Sequence, residues 1–508
     1  MEKEAKSLFF KSKPLILIDI WAKTEMRITL ISLDYELYCA GIRILSACLK
    51  KAGHEVQCMF LPPRRKIKNK RISTAHFSDI VCQQIYDICK TSELIGLSLM
   101  TNQFFPAIQL TIALKKMGAP RIIWGGIQPT IEPDECLRYA DIVCLGEGEG
   151  AITDLAENMS GGKDYLRVKN LWFKLDGKIV RNDLRPLVGN LDEIPLPDYS
   201  CEGHFIVEEE NIKPLIVEKV LHYEGKRFKQ DKKGIRYPIM TSRGCPYSCT
   251  YCCNNVFEKL YPGQKRLRWR SAENVVGELK MIQRELGPIS FVIFVDDNFT
   301  ARPVKELSEF CAIYKEKINV PFFCQCSPLT ISAERLDILL DSGCQKISMG
   351  IETANSRIAE MYNRKHFHKA VPKAISLLEN YRSKMPMPPS YQFIVDNPYE
   401  DIEETLDTLK MAVGLKRPWD NPIYSLMLFP GTSMYEKAKG DGLIKDKTVQ
   451  IYTKDWNEWA NPIIRMWIRL YRSNMFPRVL RFVIYKKLYK IMARSFERRK
   501  VIEVTNNK

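Results

Sequence analysis

Apolar and polar positions along residues 26–160 follow two periods in turn, and the switching predicts alternating strands and helices. MRITLISL at 26–33 is a continuous apolar run of the kind a strand buried on both faces shows. Residues 41–52 change to a helical period, with Ile42, Leu45 and Leu49 on one face and Gly53 closing the segment. HEVQCMFL and LIGLSLM read as further strands, followed by a helix over 106–117 and by RIIWGG and DIVCLGEGEG. This alternation predicts an α/β fold with a doubly wound, Rossmann-like parallel sheet. Such sheets bind ligands beyond the carboxyl ends of their strands. The candidates there are Ser98, Met100, Thr101, Gly125, Gly126, Gln128, Gly146 and Glu147.

Residues 161–235 break the rhythm. LWFKLDGKIV predicts a hairpin around Asp176-Gly177, LDEIPLPDYS is a proline-punctuated connector, and 202–236 is charged and aperiodic, which reads as a linker or a cover over the site. Alternation resumes over 236–445. SFVIFVDDNF, PFFCQCSP, QKISMGIET, SYQFIVDNP and PIYSLMLFPGT are strands, with helices expected at 272–285, 304–317, 333–342, 370–381 and 402–415. That is an open, partial (β/α)6 barrel of TIM type, whose site residues belong at the carboxyl ends of the strands: Asp296, Asp297, Ser327, Glu352 and Asn397. Cys324 and Cys326 flank Gln325 on one of these strands and are expected to pack in the core. Residues 1–25 form an N-terminal extension and 446–508 a basic helical region.

Composition narrows the class. The 508 residues leave room for about three domains. No secretory signal and no run of about 18 uncharged apolar residues occurs, so a cytoplasmic protein is expected. The 16 cysteines are scattered through apolar segments (Cys48, Cys82, Cys89, Cys144, Cys311), as reduced core thiols are. Much of the net charge of +17 comes from 462–500, where twelve Lys and Arg oppose the single acid Glu497 and interleave with aromatic and aliphatic residues. Such a segment suits peripheral contact with an anionic membrane and equally a helical lid on the barrel with a solvated basic face. Nucleic acid, with RRKIKNKR at 64–71, is a third partner that charge alone does not select.

The chemistry is concentrated in TSRGCPYSCTYCCNN. Cys245, Cys249 and Cys252 are spaced x3 and x2. Three thiolates on one loop can hold three irons of a 4Fe-4S cubane, leaving the fourth open, as a catalytic metal site leaves a coordination position open. A zinc knuckle needs a second Cys/His unit, and none follows. The segment resembles the radical S-adenosylmethionine (SAM) superfamily. That resemblance implies SAM bound to the open iron and cleaved reductively to a 5'-deoxyadenosyl radical, Tyr251 beside the adenine, Glu352 on the ribose hydroxyls, and Asp296 or Asp297 near the methionine amino group. YQFIVDNPYED departs from the family's glycine-rich fifth strand, placing Asp396, Asn397 and Pro398 where small residues are usual.

The order LISLDYELYCAGIRILSACLKKAGHEV, LIGLSLMT, WGGIQPTIEPDE and ADIVCLGEGEG, ahead of that motif, resembles the cobalamin-binding domain of cobalamin-dependent radical SAM enzymes. The Asp-x-His-x-x-Gly loop of some cobalamin proteins is missing, since 34–41 has no histidine, and His54 reads as an element-end residue. A cobalamin lacking a histidine on its lower face is therefore expected. The resemblance implies methylation of an unactivated carbon, or with the same parts a cyclisation, rearrangement or oxidation. It implies a small-molecule or lipid substrate and a reductant such as flavodoxin or ferredoxin. Two rivals stand beside it: an RNA methylthiotransferase using a second cluster on cysteines among Cys39, Cys58, Cys82 and Cys89, and a non-catalytic cobalamin or redox sensor.

Overall fold

The computed structural model describes residues 25–34, 36–62, 77–228, 234–416 and 422–454, with Ile464 and Ile468. Both the 64–71 run and nearly all of the basic tail lie outside the described residues. The first unit is built on β1 (Arg27–Ser32), β2 (Glu55–Phe60), β3 (Leu94–Ser98), β4 (Arg121–Gly125) and β5 (Ile142–Cys144), all parallel, with β1 between β2 and β3. Helices Ala40–Lys51 and Glu149–Ser160 pack against each other on this sheet. The continuous apolar runs are explained by burial: Ile28, Leu30 and Ile31 have no exposed surface.

The linker expectation for 202–236 is corrected. The hairpin β6 (Leu171–Leu175) and β7 (Lys178–Arg181) extends the sheet beyond β5, and β8 (Phe205–Glu208) with β9 (Asn211–Pro214) extends it beyond β2, giving the order β7-β6-β5-β4-β3-β1-β2-β8-β9. Helix Val217–Phe228 follows. Its Glu224 is buried and accepts hydrogen bonds from the N–H groups of Leu37 and Tyr38. Edge strands bury only part of their side chains, so β8 and β9 carry little apolar period.

The second sheet is β10 (Ile235–Ile239), β13 (Ile289–Phe294), β14 (Phe322–Cys326), β15 (Cys344–Glu352), β16 (Ser390–Val395) and β17 (Ile423–Ser425), parallel and in chain order. This is the expected open half-barrel. Between β10 and β13 lies a two-stranded antiparallel ribbon, β11 (Ser242–Arg243) with β12 (Arg268–Trp269). One apolar core runs through both units, from Ile28 and Tyr38 to Tyr237 and Val292. At the junction Tyr38, Tyr199 and Tyr237 pack edge to face, and the Tyr237 hydroxyl sits 2.9 Å from that of Tyr199 and 2.7 Å from Glu278. Cys324 and Cys326 are buried, as expected of core thiols. Cys58 belongs to one core cluster and Cys82 and Cys89 to another, so these cysteines do not gather as a second cluster site. Among the described residues no helix is long and apolar enough to cross a membrane.

Candidate active site

The ribbon β11–β12 closes a loop, 244–267, that carries the three cysteines. Gly244 begins it at φ 82°, and a Cβ there would stand 2.5 Å from the carbonyl oxygen of Arg266, so a side chain is excluded. The chain then turns back on itself, with the Cys252 N–H donating to the Cys249 carbonyl at 3.0 Å, and helix Cys253–Leu260 starts immediately after. The three thiols lie close enough to perturb one another: burial, chiefly, pushes Cys245 up to about 12 and raises Cys249, and each feels the neighbouring sulfurs. Cys252 is instead drawn down, first by a hydrogen bond from the adjacent Cys253 thiol. A bound metal removes these protons outright. Among the described residues no three Cys, His, Asp or Glu side chains enclose a single-ion position. A cubane, which takes one thiolate per iron, suits three neighbouring sulfurs carried on one loop.

Donors surround the sulfurs. Arg364 Nη1 donates to Cys249 Sγ at 3.3 Å, and Asn254 Nδ2 lies 3.7 Å from Cys252 Sγ. Glu352 ends β15 with φ 71°, a strained conformation for a non-glycine residue, at a register shift in the β15–β16 pairing. Its carboxylate folds back over Gly350, shares a hydrogen bond with Tyr251, and is raised in pKa by burial against the opposing pull of Arg364. Tyr251 packs edge-on against Tyr362 at 4.9 Å. Glu352, about a hundred residues further along the chain, thus shares one neighbourhood with Cys249 and Tyr251.

The two aspartates at the end of β13 part company. Asp297 faces the cavity between the units and accepts from Asn254 Nδ2 at 2.9 Å. Asp296 is fully buried beneath the loop, accepting from Thr241 N and Oγ1, both at 3.0 Å, and from Ser242 Oγ. It anchors the ribbon and does not face the cavity. Ser327 is held by Asn298 and Thr330 and meets Tyr247 of the cysteine loop. Asn397 is buried and is linked to the site through Tyr362, whose hydroxyl lies 3.3 Å from its Nδ2, and through Met361, 3.8 Å away.

On the other side, Ser98, Gly125, Gly126, Gly146 and Glu147 line a cavity of about 390 Å³ together with Met240, Arg243, Gly244, Cys253, Asn254 and Asp297. A second cavity of about 500 Å³, which takes in Ser98, Met100 and Gln103, shares Gly41, Ile42, Ser98, Met240 and Arg243 with the first. Thr101 and Gln128 are buried and line neither, because Thr101 lies in a short 3-10 turn and Gln128 turns its amide to Glu132. Gly126, at φ 98°, packs on the backbone of Leu99, where a Cβ would meet the carbonyl oxygen at 2.7 Å. Among the described residues no histidine lines either cavity. His54 instead accepts from the Met26 N–H through Nδ1 at 3.3 Å. A contiguous, largely apolar space at the strand ends is where a sheet of this kind takes a large ligand.

Glu147 proves to be a clamp as well as a cavity residue. Its carboxylate accepts from both terminal nitrogens of Arg268 (2.9 and 3.1 Å), from Arg243 at 3.0 Å and from the Val188 N–H at 2.8 Å, while Arg243 also reaches Glu149. Both feet of the cysteine loop are therefore pinned by one carboxylate of the other unit.

A sheet of Rossmann type presenting its strand ends to a cysteine loop on a half-barrel defines an enzyme that brings a large bound cofactor against an iron-sulfur centre. Residues 239–412 match the radical SAM superfamily and residues 26–156 match the B12 binding domain. The chain belongs to the radical SAM superfamily, among its cobalamin-binding enzymes, and works with a 4Fe-4S cluster, SAM and cobalamin. It is similar to the uncharacterized methyltransferase PH0819 of Pyrococcus horikoshii, 25% identical over 394 residues and 77% of each chain. It is also similar to the bacteriochlorophyllide d C-8(2)-methyltransferase of Chlorobaculum tepidum, 25% identical over 72% of this chain and 71% of the relative. Among solved structures, the radical SAM methyltransferase TsrM of Kitasatospora setae superposes with a TM-score of 0.60 at 16% identity, covering 87% of this chain and 78% of that one.

Proposed function

We propose that this enzyme methylates an unactivated carbon of a small-molecule substrate, with an external low-potential protein such as a flavodoxin or ferredoxin as electron donor. The cofactors supply the difficult chemistry when bound: reductive cleavage of SAM to a 5'-deoxyadenosyl radical and a methyl group carried on cobalt. The chain's part is placement. In this reading Cys245, Cys249 and Cys252 each hold one iron and leave the fourth for SAM. Asp297 stands near the methionine amino group, Glu352 accepts from the ribose hydroxyls, and Tyr251 fixes the Glu352 carboxylate. Ser98, Gly125, Gly126 and Gly146 let the cobalamin approach the backbone, and Met240 lies where the two cavities meet.

The observation that carries this reading is the shared cavity, in which Gly244, Cys253, Asn254 and Asp297 face Ser98, Gly125, Gly126 and Gly146 across about 390 Å³. Methyl transfer as the outcome is supported by two curated relatives that bear methyltransferase names. A lipid substrate or membrane contact would rest on the basic tail, beyond the described residues. The test is anaerobic reconstitution with iron, sulfide, cobalamin and SAM labelled in its methyl group. Wild-type protein under strong reductant is expected to release deoxyadenosine and to label cobalamin, and Cys249→Ala to release none. Normal deoxyadenosine release by Cys249→Ala would refute the ligand assignment, and cobalamin left unlabelled would refute methyl transfer.

A further inference from the structure

Arg364 lies far in sequence from the cysteine motif, yet its guanidinium is placed against it. Asn363, at φ 58°, turns the chain between helices Ser356–Met361 and Lys365–Asn380 and sends Arg364 inward. The side chain is 8% exposed. Nη1 donates to Cys249 Sγ at 3.3 Å, Nη2 donates to the Gly350 carbonyl at 2.7 Å and lies 4.0 Å from Glu352 Oε1, and the Phe367 ring sits 4.0 Å from Cζ. A guanidinium carries its charge at every relevant pH, and burying it is costly unless anions and acceptors surround it. Here those are one carboxylate at 4.0 Å, the Gly350 carbonyl and one cysteine sulfur, so among the described residues the sulfur is one of only two groups in hydrogen-bond contact. A protonated thiol is a weak acceptor, whereas a metal-bound thiolate is an anion, so the placement is best matched with Cys249 ligating iron.

We propose that Arg364 is a positioning residue that sets the reduction potential of the cluster and ties it to the SAM-binding carboxylate. The proposal rests on the assignment of Cys249 as a cluster ligand. One electron from the external donor adds one negative charge to the cluster. A fixed cation hydrogen-bonded to a ligating sulfur stabilises that reduced form and raises the potential, since hydrogen bonds to sulfur and net charge are what tune such clusters. Through Glu352 the same guanidinium braces the carboxylate assigned to the ribose, so the cluster and the nucleoside site share one rigid contact.

The experiment compares wild type, Arg364→Gln, Arg364→Lys and Cys249→Ala, each reconstituted anaerobically with iron and sulfide. Iron content is measured first, and the cluster is then titrated by EPR against solution potential with no SAM present. Arg364→Gln is expected to hold wild-type iron but to be about tenfold less reduced at a given potential, a midpoint about 59 mV lower for a one-electron couple. Arg364→Lys, which keeps the charge without the fork, should fall between. A wild-type midpoint in Arg364→Gln overturns the proposal. If that variant takes up no iron, Arg364→Lys decides: a lowered midpoint supports the proposal and an unchanged one overturns it. Full iron and a wild-type signal in Cys249→Ala would instead overturn the ligand assignment beneath it.

Discussion

Replacing Glu147 by Gln tests whether the two units are locked together through the cysteine loop. The side chain keeps its shape, but it loses its charge and turns one acceptor oxygen into a donor facing donors from Arg268, Arg243 and Val188. Breaking a buried ion pair from one side costs about 3–5 kcal/mol. Arg268 is 7% exposed, Glu147 14% and Arg243 24%, so solvent can partly compensate, and about 3 kcal/mol is the expectation. At roughly 2–4 °C per kcal/mol for a unit of this size, thermal unfolding should shift down by about 6–12 °C. The loss should also have a pH signature. Burial works to raise the Glu147 pKa, but Arg268, Arg243 and the Val188 N–H prevail and hold it below the ordinary carboxylate range. A carboxyl depressed in this way stabilises the fold above its unfolded pKa, roughly 4.3. The contribution disappears as pH falls through the lower folded value. The gap between wild type and variant should therefore be full at pH 7 and close below about pH 4. Urea unfolding of the apoprotein across that range measures it, alongside cobalamin retained after desalting of the holoenzyme. Unfolding within 1 °C of wild type at pH 7, with cobalamin retention undiminished, would refute the clamp.

Three further outcomes are expected. Gly126→Ala, strained at φ 98° and meeting the Leu99 carbonyl, should cost about 2 kcal/mol or more and reduce cobalamin retention, read by thermal unfolding and by absorbance after gel filtration. Glu352→Gln should raise the KM for SAM about tenfold or more while leaving iron content unchanged, read by deoxyadenosine release across SAM concentrations. Burial pushes the Glu400 carboxyl up to about 8, so the folded state keeps a proton that the unfolded chain has lost between pH 4.5 and 8, and stability falls with rising pH over that window. Glu400→Gln should accordingly be more stable than wild type by about 4 kcal/mol at pH 8, with the difference vanishing near pH 4.5, read by urea unfolding.

The parallel strands were legible because a strand covered on both faces must be apolar throughout, and helices 272–285 and 304–317 because an amphipathic stripe repeats over four turns. Helix Lys365–Asn380 begins five residues before the expected start. Pro372 does not mark a first turn, because the chain is already helical ahead of it, with the His368 N–H bonded to the Arg364 carbonyl. The β8–β9 hairpin was not legible because FIVE and NIKP bury only two side chains between them, Ile206 and Val207. Cysteine spacing is a local property and so could be read directly. Arg243, Arg268 and Arg364 could not, since an arginine that serves a sulfur or a carboxylate a hundred residues away looks in sequence like any surface charge.

The Asp296–Asp297 pair shows where reading from sequence alone must stop. Successive residues leaving a strand point to opposite sides, so one carboxylate had to enter the cavity and the other had to turn away, but the dipeptide itself is symmetric to that choice. What breaks the symmetry is the register of β13 against β10, in which Phe294 pairs with Ile239 and Val295 bonds back to its carbonyl. That register lays Asp296 under Thr241 and Ser242, where three donors are waiting, and leaves Asp297 to Asn254 and the open space. The buried aspartate then fixes where the ribbon starts, the ribbon fixes where the cysteines stand, and Glu147 fixes both ends of the ribbon to the cobalamin unit. The geometry of the site is thus set by two carboxylates, one fully buried and one at the edge of the cavity, acting through the ribbon that carries the cysteines.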